Sequence, residues 1–517
     1  MRSRRGAGRG SRLVKRLQIG YLGYEPAVRK RPLAYLAALL AAALVVGGAA
    51  AGPKPGGGKA PSFGSDVVLP GGQGGEPSLA IDTSPTAGRG NIYVGAIGDS
   101  NGPLEWHSYN GGKTWSQPVP FDLNGPLRGG DDDIAVNTNG NLLAADLNVS
   151  WASVQISTDH GQSFDAGTQT APEDDRPWLT AAGQNVYVFY HDFVAEAPVV
   201  CTSFDGGHTF PACNQAFGAD PSVTNCAENT VPARALTVDP TNFALSFLYS
   251  CSTAAENAQH PPYGPLHDYY LAQSLDGGLT WTTYPVFQAD TSNGKAPNYA
   301  NIFGTLAVDS AGNYYALFAG TADDGTPIAN PYHVYLEVSK DHGHTWSRPI
   351  QVDHDANGAG THVLPHLAVT APGNVDVVWY GTTATGEPNG VCGSLLLQSP
   401  CNNGFPDYTD PKAPAWNVYL AQSTNALTAA PTFRQVAANP TATHYGEICT
   451  NGLVCGSSDR SLLDFISVGV DCNGFAHIAY GGNTKQQEAA GQTFVHVANQ
   501  TGGTALAPPA ACAAPVP

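Results

Sequence analysis

The chain has 517 residues, 42% of them apolar, with 60 Gly, 40 Pro and 10 Cys. Its formal charge is −18, but residues 1–60 hold 12 of the 24 Lys and Arg and one acid, Glu25, so the remainder carries 12 basic against 41 acidic residues, a net of −29. That charge excludes nucleic acid and anionic lipid as bulk electrostatic partners. The apolar content excludes global disorder, and abundant glycine, proline and aromatic residues favour a turn-rich all-β chain over a helical one.

In chain order, the first segment reads as an export signal. Ten Lys and Arg between Arg2 and Arg31 precede an uncharged run from Pro32 to Pro53 containing LAYLAALLAAALVVGGAAAG. That run has the length of a signal-peptide core and is marginal for a membrane span. Residues 1–52 are therefore expected to be a signal peptide or membrane anchor, with Ala49-Ala50-Ala51 offering small residues for cleavage. Residues 53–70 read as a flexible Gly/Pro tether. The expected location is secreted or cell-envelope, with membrane contact only through an uncleaved leader.

From residue 71 onward one octapeptide recurs: Ser, any, Asp or Asn, any, Gly, any, Thr or Ser, Trp or Phe. It appears as SYNGGKTW from Ser108, STDHGQSF from Ser157, SFDGGHTF from Ser203, SLDGGLTW from Ser274 and SKDHGHTW from Ser339, with a worn copy, STNALTAA, from Ser423. The acid or amide accepts turn N–H groups, the glycine supplies positive φ, and the aromatic packs between sheets. Seven strand–turn–strand segments interleave with these turns, among them NIYVGAIG, GNYYALFAG and NVDVVWYG on their second strands. Each unit predicts four antiparallel strands, and sheets of that kind bury both faces only when arranged radially. The expectation is a single all-β propeller over 71–517, with seven four-stranded blades and six as the alternative. Ring closure is expected to join the last strands, near Phe494–Ala498, to the first blade.

All ten cysteines lie from Cys201 to Cys512, an even number in a chain expected to be exported, which points to disulfides. Proximity favours Cys201–Cys213, Cys226–Cys251, Cys392–Cys401, Cys449–Cys455 and Cys472–Cys512. Zinc is the weaker alternative, because no paired CxxC is present.

The octapeptide resembles the Asp box of the sialidase-like, or BNR-repeat, β-propellers, and the resemblance covers about residues 75–500. In those proteins the box lies on outer hairpins away from the sugar, so its acids are not expected to be catalytic. Sialidases are six-bladed, whereas seven strand pairs are counted here. The resemblance implies three arginines clamping a carboxylate, a tyrosine nucleophile with a glutamate, and an aspartate acid/base. Past the leader only seven arginines remain, and Arg176, Arg234 and Arg460 all fall at or just before the start of an innermost strand. Asp175, Glu228 and Tyr445 are the matching candidates for the chemistry, with Glu447 beside Tyr445. The first-blade arginine is replaced by Glu76 in GGEPSLAID.

Two readings of those arginines stay open: inter-blade ion pairs, or contacts to an anionic substrate. Acids converge on the same positions, namely Glu76, Asp131, Asp132, Asp133, Asp174, Asp175, Asp459 and Asp464. They make a structural Ca²⁺ conceivable, with no other cofactor expected. His191, His362 and His366 match no zinc spacing, and there is no GxSxG, HExxH or P-loop. The functional expectation is a monomeric propeller binding glycan or a cell-surface protein at the central channel face, the alternative being a sialidase-like glycoside hydrolase acting on an anionic sugar.

Overall fold

The computed structural model describes residues 58–98, 102–121, 130–148, 151–172, 174–192, 197–216, 231–232, 234, 236–251, 267–289, 299, 303–321, 331–355, 360–392, 399–400, 404–450, 455 and 457–513. All lie in one compact unit, Pro53–Pro517. Seven antiparallel sheets of four strand positions each form a β-propeller. From inside outwards, blade 1 is Gly74–Ile81, Ile92–Gly98, Leu104–Ser108 and Val119–Pro120. Blade 2 is Asp132–Val136, Leu142–Asn148, Trp151–Ser157 and Thr168–Pro172, and blade 3 is Asp174–Ala182, Asn185–Asp192, Ala197–Ser203 and Ala212–Gln215. Blade 4 splits its inner strand into Val231–Pro232 and Thr237–Val238, followed by Leu245–Cys251, Asp268–Ser274 and Thr282–Gln288. Blade 5 is Thr305–Val308, Tyr314–Gly320, His333–Ser339 and Ile350–Gln351; blade 6 is Thr361–Val369, Val375–Thr382, Ala415–Ser423 and Arg434–Ala437.

Blade 7 closes the ring. Its strands Ser467–Val470, Ala476–Gly482 and Phe494–Gly502 are completed by Ser62–Phe63 and Val67–Val68, both antiparallel to the third strand. The propeller therefore begins at Ser62, inside the segment expected to be a tether. The hydrogen-bonded closure runs through these N-terminal strands, and Val495 and Val497 of the last strand pack on blade 1 as expected. Pairing the two chain ends in one sheet removes the free edge that an unpaired third strand would leave.

The strands are apolar because neighbouring blades cover both faces. All seven residues of Tyr314–Gly320 are buried. Tyr315, Leu317, Leu336 and Val338 of blade 5 pack against Leu367, Val375, Val377 and Trp379 of blade 6. Trp106 of blade 1 fills the joint with Ala479, Val495 and Val497 of blade 7.

Each octapeptide closes the hairpin between a third and a fourth strand. In the blade 5 copy, the Ser339 hydroxyl donates to Asp341 Oδ1 at 2.7 Å and accepts the Gly343 N–H at 2.8 Å. Asp341 then accepts the Thr345 N–H at 2.9 Å and its hydroxyl at 2.6 Å, while Trp346 Nε1 donates to the Gly343 carbonyl at 2.9 Å. Gly343 sits at φ 87°, a left-handed conformation that favours glycine. The worn copy keeps the Ser423–Asn425 bond, but Asn425 reaches Thr432 N–H, seven residues on. Blade 7 has no such turn because its outer strand comes from the other end of the chain.

Antiparallel order separates two faces. Octapeptide turns and the first-to-second strand turns lie on one. Inner-strand starts, connections between blades and second-to-third strand connections lie on the other. Arg176, Arg234 and Arg460 belong to this second face. Three disulfides, Cys201–Cys213, Cys449–Cys455 and Cys472–Cys512, match the proximity pairing, and such bonds fit an oxidising compartment. The other two expected pairs fall outside the described side chains. No described helix is long and apolar enough to cross a membrane.

Candidate functional site

The site begins with a repeated backbone irregularity. Inner strands of blades 1, 3 and 6 carry Glu76-Pro77, Arg176-Pro177 and Leu364-Pro365, and the pairing register slips across each dipeptide. Proline has no N–H for the ladder, so the strand bulges there. Glu76, Arg176 and Leu364 adopt φ of 49°, 61° and 55°, a strained region for side chains with a Cβ. Blade 7 places Leu463 at φ 59° immediately before Asp464.

These irregularities gather charged side chains from four blades. Arg176 Nη1 lies 3.4 Å from both carboxylate oxygens of Glu76, and its Nε lies 3.8 Å from Asp131. Its Nη2 donates to Asp464. Arg460 forks onto the same carboxylate, Nη1 to Oδ1 at 2.7 Å and Nη2 to Oδ2 at 2.8 Å. Asp464 is fully buried, and both arginines converge on it.

Two guanidinium groups face four carboxyls, and protonation adjusts to that imbalance. Burial pushes Glu76 well above the ordinary carboxylate range; Arg176 opposes this, and the Asp464 charge adds to it. Asp131 and Asp175 are raised, again by burial first and against the pull of Arg176. Asp464 moves the other way: burial would raise it, but Arg176 and Arg460 outweigh burial and hold it below the ordinary range. Both arginines thus converge on one hub carboxylate, held low, while the acids around it are shifted upward by burial. Asp131, Asp175, Arg176 and Arg460 are partly exposed at the mouth, with Glu76 and Asp464 beneath them.

A second layer plugs the axis. Arg234, from blade 4, donates from Nη1 to the Ile466 carbonyl and from Nη2 to Ser467 Oγ at 2.6 Å, both on blade 7. Blades 4 and 7 are three steps apart in a ring of seven, the largest separation available, so this arginine crosses the channel. Its guanidinium lies 4.2 Å from the Phe465 ring centroid and 5.4 Å from that of Trp178. Trp178 in turn packs on Phe303 and Phe465 at 5.9 and 5.0 Å. Burial pulls Arg234 down to about 10, still charged at neutral pH, with Asp133 opposing. Asp133 accepts the Leu179 N–H at 2.8 Å and is pushed up to about 6 by burial against the attraction of Arg234.

The residues singled out from sequence separate as follows. Arg176, Arg460 and Asp175 share the mouth layer. Arg234 lies in the aromatic plug, apart from that ion network. Tyr445 sits on a short edge strand, His444–Tyr445, with Lys485 Nζ 5.3 Å from its ring centroid, in a neighbouring loop cluster. Glu447 holds that cluster by accepting Ser458 Oγ and Asp459 N–H, each at 3.2 Å. Glu228 lies outside the described residues. Sequence reasoning missed Trp178, Phe303, Phe465 and Ser467. Their signal was positional, since Phe303, Phe465 and Ser467 stand at or beside the start of an inner strand and Trp178 follows Arg176 by two residues.

No protein-family model matches the sequence, and no curated protein matches it. Solved structures similar in shape include a protein of unknown function from Dyadobacter fermentans, 13% identical, covering 85% of this chain and 98% of its own, with a TM-score of 0.45. An ulvan lyase is 13% identical over 72% of this chain and 95% of its own, at 0.41. The intramolecular trans-sialidase from Ruminococcus gnavus is 10% identical over 86% and 97%, at 0.38.

Proposed function

We propose that this propeller is an exported binding module that holds a hydroxyl-rich ligand, a glycan, at the arginine face and does not perform sialidase-type hydrolysis. One observation carries the reading: Arg176 and Arg460 are both already bonded to the buried Asp464, and Arg176 also faces Glu76. An anionic sugar would have to displace buried internal carboxylates before reaching either guanidinium, which costs more than the exposed salt bridge it would form. Hydroxyl groups face no such competition. The partly exposed carboxyls of Asp131 and Asp175 accept from one hydroxyl when ionised and donate to another when protonated. Export rests on the basic and apolar leader together with the three disulfides.

A hydrolytic reading has one observation in its favour. Asp131 and Asp175 stand at the mouth beside Arg176 with their protonation shifted upward, as a general acid requires. A glycan array paired with chromogenic glycosides, including a sialoside, separates the two. Binding of neutral glycans without turnover on the panel, lost in Asp131→Ala with the melting temperature unchanged, is the expected result. Release of chromophore from the sialoside would overturn it. Arg234→Ala serves as a second arm: it should destabilise the fold, whereas a substrate-gripping arginine would lose turnover and leave stability unchanged.

A further inference from the structure

Beside the arginine layer, three side chains from two connections converge on a point that the glycan reading does not use. His444 comes from the connection between blades 6 and 7. Asp459 lies in the same connection, just past the Cys449–Cys455 disulfide. Glu488 lies on a short helix, Lys485–Ala489, inserted between the second and third strands of blade 7. We propose that His444, Asp459 and Glu488 form a binding site for one divalent transition-metal ion of the zinc class.

The geometry is that of a converging donor set. One ligand atom from each residue lies within 4.8 Å of the others. His444 Nε2 is 3.4 Å from Asp459 Oδ2 and 3.0 Å from the Glu447 carbonyl oxygen. Each ligand is also aimed by its other atom. His444 Nδ1 lies 2.7 Å from Asn483 Oδ1, and the Asn483 amide nitrogen donates to Ser461 Oγ at 2.9 Å and to Glu488. With the amide oriented that way, Nδ1 carries the proton. Asp459 Oδ1 accepts the Ser461 N–H at 2.7 Å, which leaves Oδ2 for the site. Outer-shell bonds of this kind set the tautomer and orientation of metal-binding imidazoles.

The second observation is the state of Nε2. His444 is fully buried, and the atoms facing its second nitrogen are a peptide oxygen and a carboxylate oxygen, which are acceptors. In the neutral ring a lone pair would point at oxygen lone pairs. Either a second proton or a cation must stand between them. A cation also answers the approach of two carboxylates, which a single proton on the ring does not.

One imidazole nitrogen, two carboxylates and one peptide oxygen form a mixed N/O set. That suits Zn²⁺ or Mn²⁺ better than Ca²⁺, whose sites are built from oxygen. A second cluster, His333, Asp353 and His362, provides the contrast. There Trp379 Nε1 donates to His362 Nδ1 at 3.0 Å, so the proton of the neutral ring sits on Nε2 and is given to Asp355 at 2.7 Å. That nitrogen is a donor and is closed to metal.

The test uses the mature protein stripped with a chelator and dialysed against limiting Zn²⁺. Wild type should retain one equivalent per chain. Asp459→Asn and Glu488→Gln should each retain less than a tenth of that, while Asp353→Asn retains the full equivalent. Zinc at a hundredfold above its dissociation constant should raise the melting temperature of wild type by about 3 °C and leave Glu488→Gln unmoved. X-ray absorption of the loaded protein should report one imidazole ligand. Failure of wild type to hold zinc, retention by Glu488→Gln, loss in Asp353→Asn, or two imidazoles in the absorption spectrum would each overturn the assignment. The wild-type stoichiometry and the absorption spectrum stand without any variant, so a variant that fails to fold leaves the proposal testable. Glycan binding is a separate measurement and can fail independently.

Discussion

Asp464→Asn is the sharpest probe of the arginine layer, because it keeps the shape of the hub and removes its charge. Asp464 accepts two bonds from Arg460 at 2.7 and 2.8 Å and one from Arg176, all with the carboxylate fully buried. Removing one partner from a buried ion pair costs roughly 3–5 kcal/mol, since the remaining charge stays buried without compensation. Here part of that cost is recovered. Burial is what chiefly raises Glu76, but the neighbouring Asp464 charge adds to it, so losing that charge lets the Glu76 carboxyl, 3.4 Å away, compensate Arg176 more fully. The net loss should fall near the lower end, about 3 kcal/mol. Unfolding a unit of the size of Pro53–Pro517 carries an entropy of about 1 kcal/mol/K, so the melting temperature should drop by about 3 °C. Scanning calorimetry at pH 7 measures this directly. A double-mutant cycle with Arg460→Ala should give a coupling of about 1.5–3 kcal/mol, the range for a charged hydrogen-bonded pair. A melting temperature within 1 °C of wild type, with coupling below about 0.5 kcal/mol, would refute the reasoning. The arginines would then not be held internally, and the case against an anionic ligand would fall with them.

Glu337, in a third strand, has one carboxylate oxygen without a partner among the described residues, and burial pushes it up to about 8. A raised carboxyl contributes stability that is present below the unfolded pKa and lost as pH rises through the folded one. Melting temperature should therefore fall between pH 5 and 8, with Glu105 and Asp376, both raised to about 7 by burial, acting in the same direction. Glu337→Gln should flatten that slope and stabilise the protein at pH 8 by roughly 2–4 kcal/mol; an unchanged pH profile by calorimetry would count against it. Ser339→Ala removes the acceptor of the Gly343 N–H and the donor to Asp341, and should cost about 1–3 kcal/mol in chemical denaturation. Loss of the Cys472–Cys512 bond, which spans 40 residues, should cost about 4 kcal/mol, against about 2 kcal/mol for Cys449–Cys455, which spans 6; equal losses in paired Cys→Ser variants would contradict loop entropy as the cause.

The wheel was legible because its chemistry repeats. Five octapeptides and seven strand pairs carry the same instructions, and repetition makes each of them readable with no knowledge of contacts. Even the worn copy at Ser423 occupies its turn, rescued by Thr432. What escaped was what occurs once. The outer strand of blade 7 lies among residues read as a tether, because Ser62–Phe63 and Val67–Val68 are too short to announce a strand. His444 and Glu488 are 44 positions apart in separate connections, and only closure of the chain brings them together. The arginine positions were readable from their place before inner strands; their partners were not. Asp464 stood among several rim acids in the sequence, and nothing there distinguished the one that both guanidinium groups choose.

The three proline bulges allow the site to be compared with itself. Equivalent positions hold an acid in blade 1, a base in blade 3 and a leucine in blade 6. Were all three arginines, their charges would repel across the channel, and the layer would need an anion to hold it together. Asp464 supplies that anion from within, and the Glu76 carboxyl stands 3.4 Å from Arg176 where a further arginine would have been. Leu364, fully buried, asks for no counterion at all. In blades 1 and 3 the same backbone device has thus been filled with residues that satisfy one another, while in blade 6 it sends Leu364 into the apolar core shared with blade 7. At the mouth Asp131 and Asp175 are partly exposed beside Arg176 and Arg460. On the binding reading proposed above, a ligand rich in hydroxyls is accommodated at this face, and a carboxylate meets acids already in place.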